Sequence, residues 1–285
     1  MMIEVIDRVP TYPGRVKLVP VDGQENTYDM ARADSPIVEG TPINKALFDS
    51  YLNTVTAALN VLDNKIFELT QRVQIGKLND GTIFGLYENG ILVPYIKLMN
   101  ISFDQTRALA LRLDCVKMDT LQDEGDANGY QNCKIDRWLE NEFVYTLDAA
   151  TQSVLKTVGV PSSSASQYEN NYKLARKVFL LSAAEYGHEV IDWMPNNGGA
   201  NTYFRGYPER TIAKYNGSPV EYWTRSISYS ERKASGITTD GNYFIGNPMT
   251  DVKGIRPAFM LPLDFEVIVG IPSTANVNVT AEVIG

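Results

Sequence analysis

Between residues 48 and 73 apolar side chains fall at Phe48, Leu52, Val55, Leu59, Leu62, Ile66, Leu69 and Val73, so the intervals run 4, 3, 4, 3, 4, 3, 4 without a break. A period of 3.5 predicts an α-helix carrying a coiled-coil seam, with Leu52, Leu59, Ile66 and Val73 at a and Phe48, Val55, Leu62 and Leu69 at d. Asn53, Thr54, Asn60, Asp63, Asn64, Glu68, Gln71 and Arg72 surround the seam with polar groups, which makes it narrower than the stripe of a helix packed on its own domain. Leu at a with Val at d departs from the dimer preference for a β-branched a and Leu at d, and so favours a parallel homotrimer. Thr41 suits the cap, Pro42 the first helical position and Gly76 the stop, so the helix is predicted over residues 41–76.

On either side the pattern changes. Residues 1–40 hold Pro10, Pro13, Pro20 and Pro36 with Gly14, Gly23 and Gly40 and no helical period, which reads as an extended arm with short strands such as Val16 to Val21. Residues 77–265 read as one mixed α+β head. Thr82 to Tyr87 and Ile91 to Leu98 alternate around Asn89-Gly90, a hairpin signal. Ala108 to Val116, Lys177 to Leu181 and Gly254 to Leu263 are further strand candidates, and Ile135 to Phe143 and Leu147 to Val158 are helix candidates, with Ser182 capping a short helix through Glu185. Residues 266–285 alternate weakly and are expected as a C-terminal strand or tail.

Composition narrows the functions available. The chain has 285 residues, 44% of them hydrophobic, which is enough to bury a core, and no apolar run approaches the roughly 20 residues a bilayer span needs. A net charge of -8 repels phosphate backbones, which argues against general nucleic-acid binding. Two cysteines, Cys115 and Cys133, and one histidine, His188, cannot supply a structural zinc site, and free buried thiols are expected. No nucleophile motif accompanies His188, no phosphate-cradling glycine loop is present, and the Asp123 to Gly129 run lacks the terminal Glu of a calcium loop. Neither a cofactor nor a metal is expected. No basic-then-apolar leader precedes Asp7, so synthesis in the cytoplasm is expected.

The most informative composition lies between Trp193 and Pro248, where Tyr203, Phe204, Tyr207, Tyr215, Tyr222, Trp223, Tyr229 and Tyr243 alternate with Asn, Ser and Gly. Aromatics supply contact area at little rotamer cost and Asn and Ser supply adaptable hydrogen bonds, the chemistry of a recognition surface. The same rings could instead fill a core beneath loops.

Two resemblances sharpen the reading. Arg8 to Leu18, Asp29 to Asp34 and Glu39 to Asn44 resemble the N-terminus of tail structural proteins of phages and prophages from Firmicutes, which implies a virion-attachment arm. Ile135-Asp136-Arg137-Trp138-Leu139, Lys177 to Glu185, Tyr222-Trp223-Thr224-Arg225-Ser226 and Gly254-Ile255-Arg256-Pro257-Ala258-Phe259 resemble a bacterial and phage domain of C-type-lectin-like fold. That domain is similar to the formylglycine-generating enzyme and to the variable proteins of diversity-generating retroelements. The resemblance implies that ligand is met by Ser228, Tyr229, Ser230, Arg232, Asn242, Tyr243, Phe244 and Asn247, with Trp193, Tyr203 and Tyr207 beside them. Ile227 stands where the family usually has Pro, and Cys115 and Cys133 lie far from the catalytic cysteine positions of the enzyme branch. Together these features imply a non-enzymatic receptor-binding protein of the virion tail: a homotrimer joined to tail or baseplate proteins by its arm and to a host-surface glycan or protein by its heads. A structural tail component and a surface-polysaccharide depolymerase are the alternatives.

Overall fold

The computed structural model describes residues 9–10, 16–25, 28–32, 36–38, 45–99, 106–126, 129–161, 173–188, 198–227 and 233–270. It divides into two compact units, residues 1–67 and 68–285. In the first, β1 (Val9–Pro10) pairs with β4 (Pro36–Val38), and β2 (Val16–Pro20) pairs with β3 (Tyr28–Arg32), both antiparallel. The strand expected at Val16 is therefore present, as half of a hairpin.

Helix α1 runs over Lys45–Thr70, crossing from the first unit into the start of the second, with no acid in its first turn and no base in its last. It lacks the charges that would offset its dipole and is rich in Asn and Thr, which are poor helix formers. Its seam residues Phe48, Leu52, Val55, Leu59, Leu62 and Ile66 are between 41% and 62% exposed in the single chain. The helix ends earlier than the heptad pattern predicts. Val73 is not a seam residue but part of β5 (Arg72–Gln74), where it pairs with Val267. Val269 N–H also donates to the Gln71 carbonyl at 2.9 Å, so strand pairing captures the chain just beyond Thr70.

The head is built on a seven-stranded antiparallel sheet. Its strands are β5, β6 (Ile83–Glu88), β7 (Ile91–Leu98), β8 (Arg107–Arg112), then β12 (Val178–Leu180), β19 (Pro257–Pro262) and β20 (Glu266–Val269), in the spatial order β12-β19-β8-β7-β6-β20-β5. The sequence boundaries at 76/77 and 265/266 thus fall inside one sheet, because β20 lies between β6 and β5 and joins the entry of the head to its exit. The Asn89-Gly90 hairpin forms as expected, with φ of 49° and 78° at the two turn residues.

Alternation along these strands feeds two cores. Ala108 and Ala110 join Phe84, Leu86, Tyr95 and Phe259 on one face, with Ile135 and Leu139 of α2 (Lys134–Asn141). Leu109 and Leu111 join Ile96, Leu98, Phe179, Phe204, Tyr222 and Met260 on the other. Helix α3 (Ala149–Val154) is capped by Asp148, whose carboxylate accepts from Thr151 N–H at 2.8 Å, as its position in the sequence suggests. It is shorter than predicted because Val158 belongs to β10 (Val158–Pro161), paired with β11 (Lys173–Arg176).

A second, mixed sheet has the order β17-β16-β15-β18-β9, from β9 (Lys117–Asp119), β15 (Tyr222–Ile227), β16 (Ala234–Ile237), β17 (Tyr243–Gly246) and β18 (Lys253–Ile255); a small hairpin of β13 (Ala213–Tyr215) and β14 (Ser218–Val220) precedes it. The tyrosine-rich stretch between Trp193 and Pro248 thus contains buried strand as well as surface, so both readings its composition allows apply to parts of it. Every residue of β15 is buried, since it has a neighbour on each edge and core on each face.

Asp119 ties this sheet to α2. Its carboxylate accepts from Lys134 Nζ at 2.6 Å and Lys117 Nζ at 2.9 Å, and its carbonyl accepts from Trp223 Nε1 at 3.2 Å. Burial alone would raise the Asp119 carboxyl, but the two lysines and the Thr120 N–H outweigh burial and hold it below its ordinary value of 3.8. A depressed carboxylate adds stability that is complete above its unfolded value and is lost as pH falls through the folded one. The melting temperatures of the wild-type chain and Asp119→Asn should therefore differ by a constant amount from pH 7 to about pH 4 and converge below it; parallel curves down to pH 2 would contradict this account.

Candidate ligand-binding surface

The turns that carry the candidate residues are anchored by buried polar groups. Ser182 and Glu185 bond reciprocally, the Glu185 N–H to the Ser182 hydroxyl at 3.1 Å and the Ser182 N–H to Glu185 Oε2 at 2.9 Å. This is the capping-box exchange the sequence suggests at Ser182, but it closes a turn rather than a helix, and Glu185 is held further by Arg225. Arg256 is buried with no carboxylate among the described residues, donating to the carbonyls of Arg112 and Thr211, both at 2.9 Å, while the ring of Tyr222 lies 5.4 Å away. Thr211 receives Tyr222 Oη on the same carbonyl at 2.6 Å.

Thr211 leads outward. Its hydroxyl donates to the Pro208 carbonyl at 2.7 Å and lies 3.1 Å from the Gly241 carbonyl. The turn at Thr238–Asn242 therefore packs on the turn at Pro208–Arg210. Gly241 has φ of +84°, and a Cβ there would overlap the Pro208 carbonyl oxygen, so this junction accepts only glycine.

On this joined surface Tyr207 is 47% and Tyr243 45% exposed. The Arg210 guanidinium lies 3.9 Å from the Tyr207 ring centre and 4.9 Å from that of Tyr203, and donates to the Tyr203 carbonyl at 3.1 Å. The Tyr203 ring in turn rests against the backbone at Gly81. His188 stands 5.7 Å from Tyr243, ring centre to ring centre. Burial lowers the His188 imidazole below its ordinary value, against the opposing effect of its bond to the Gly241 backbone. The Asn242 side chain donates to Asp240 at 2.9 Å, and Thr238 Oγ1 bonds the same carboxylate, which holds Asp240 below its ordinary value even though it is exposed.

Of the residues expected to meet ligand, Tyr203, Tyr207, Asn242 and Tyr243 thus belong to one run of linked turns. Phe244 does not point with them: β17 alternates, and Phe244 packs on Trp223 with ring centres 5.5 Å apart. Asn247 spends its side chain on its own turn, accepting from Met249 N–H at 3.0 Å. Trp193, Ser228, Tyr229, Ser230 and Arg232 lie outside the described residues. Sequence reasoning missed Arg210, since its stacking on two rings depends on a short 3-10 turn (Pro208–Arg210) that no helical or strand period marks.

Elsewhere the chemistry is already spent. Asp126 accepts from Arg137 at 2.6 Å and from the N–H groups of Asp123 and Lys134, both at 2.8 Å. Among the described residues no group of three His, Cys, Asp or Glu converges as metal ligands would. Both cysteines are free and buried; burial raises both thiols, that of Cys115 to about 12. A groove of about 380 Å³ beside α3 and β20 holds Asp148, Asp264 and Glu266, but Asp148 is engaged in capping α3.

A family profile described as "Domain of unknown function (DUF6273)" matches residues 106–263. That span is more than half of the 285 residues. The chain belongs to the DUF6273 family. The DUF6273 span opens at the start of β8 and closes at the end of β19, so it contains the whole second sheet and the candidate surface, while β5, β6, β7 and β20 complete the large sheet from outside it. No curated protein and no solved structure matches the chain.

Proposed function

We propose that this DUF6273 protein is a non-enzymatic phage-tail adhesin: a homotrimer whose arm joins the virion tail, whose α1 helices associate through their seam, and whose heads bind a host-surface glycan or protein. The observation that carries the reading is the run of linked turns holding Tyr207, Arg210 and Tyr243. These side chains are exposed on backbone pinned to a buried polar scaffold, whereas the neighbouring Tyr222, Trp223 and Phe204 serve the core. Rings fixed in place lose little entropy on binding.

A C-type-lectin-like assignment of the head is supported by its two motif segments lying side by side. Tyr222 of β15 pairs in parallel with Gly254 of β18, and Gly254 N–H donates to the Glu221 carbonyl at 2.8 Å, so the intervening residues form one excursion from adjacent strands. The entry and exit of the head are also adjacent, through β5 and β20, which suits a head carried on a stalk. Three heads on one stalk raise avidity without new contacts.

The test is binding of the fluorescently labelled full-length chain to a panel of Firmicute cells. Saturable binding to some strains is expected, and Tyr207→Ala with Tyr243→Ala should weaken it by at least about tenfold, the scale of a lost aromatic anchor. Absence of binding to every strain would overturn the adhesin in favour of a structural tail component. Equal binding by the double variant would move the contact elsewhere.

A further inference from the structure

The geometry points to an anionic ligand for this surface, a polysaccharide bearing carboxylate or phosphate groups, with Arg210 as the residue that selects it. The inference rests on the head being the receptor-binding part of the protein.

Arg210 is exposed yet held. Two tyrosine rings flank its guanidinium, at 3.9 and 4.9 Å from their centres, and Nη1 bonds the Tyr203 carbonyl. Among the described residues no carboxylate lies within ion-pair distance of it, although Glu209 is its neighbour in sequence. Its Nε and Nη2 N–H groups have no partner among the described residues either. Arg205, on the preceding turn, is likewise exposed and without an ion pair among the described residues.

Where an exposed cation of this chain does pair, as Arg137 does with Asp123 and Asp126, its charge is spent within the fold, whereas no described acid meets that of Arg210. A guanidinium that is stacked, oriented and unpaired is a preorganised fork for a planar carboxylate or a phosphate, since the rings have already reduced the rotamer freedom that binding would otherwise cost. The chain's overall charge repels anions at long range, so selectivity has to come from this local contact.

The full-length chain is measured by interferometry on three immobilised polymers: neutral dextran, a hexuronate polymer and a phosphodiester-linked polyol polymer. Retention on one or both anionic polymers and not on dextran is expected, weakening as salt rises; which anionic polymer is preferred identifies carboxylate or phosphate as the source. Arg210→Gln should lower affinity at least tenfold, and Arg210→Lys should recover only part of it, because an ammonium keeps the charge and loses the fork. Both variants should melt with wild type, as the side chain is exposed. Undiminished binding by Arg210→Gln, preference for dextran, or no binding to any polymer would each overturn the inference. In every such case the cell panel decides separately whether the adhesin reading survives.

Discussion

Glu185→Ala should destabilise the head by about 3–5 kcal/mol, the cost of breaking a buried ion pair by removing one partner. Glu185 is 3% and Arg225 0% exposed, and the guanidinium meets the two carboxylate oxygens at 2.5 and 2.7 Å. Arg225 also donates to the carbonyls of Pro161 at 2.9 Å and Leu180 at 2.8 Å, so it ties the ends of β10 and β12 to β15. Without Glu185 the arginine keeps those carbonyls but loses its countercharge in a place water does not reach. Urea unfolding of the full chain at pH 7, followed by tryptophan fluorescence, measures the loss. The loss should be nearly independent of salt, because screening does not penetrate to the pair. A change below about 1 kcal/mol, the value of an exposed pair, would show that the site is solvated.

Leu59→Asn combined with Ile66→Asn should convert the proposed trimer to monomers. The two side chains are 53% and 50% exposed in the single chain, and burying each in a seam is worth about 1.5–3 kcal/mol per chain. Asn at both positions removes that gain in three chains at once and places polar groups in consecutive a layers. Light scattering should read one chain in place of three. Far-ultraviolet circular dichroism should lose helical signal as α1 frays, since a lone helix with weak formers is marginal in water. The near-ultraviolet spectrum of the head should persist. Cell binding should fall far more than affinity for a single site, by the lost avidity. An unchanged mass would refute association through this seam.

Legibility from sequence followed the range of the interaction. The Asn89-Gly90 hairpin, the start of α3 and helix α2 were readable because each is decided by residues within a turn or two of one another. The end of α1 was not. Val73 satisfies a heptad as well as a strand, and what settles it is Val267, nearly two hundred positions away. The tyrosine-rich stretch shows the same limit, for Tyr222 and Tyr243 stand in similar local sequence yet one is wholly buried and the other exposed. Arg210 was visible only as one base among six acids and six bases between Glu189 and Thr250.

By itself the sequence determined the α+β class, the helix with its single apolar seam, the Asn89-Gly90 hairpin and the exclusion of a helical membrane span, because periodicity and turn chemistry act over a few residues. Only the tertiary structure decided where the helix yields to the sheet, which aromatics are core and which are surface, and that Arg210 is stacked with no acid against it among the described residues. Those outcomes depend on strands and turns brought together from opposite ends of the head, and no local pattern encodes which of them will meet.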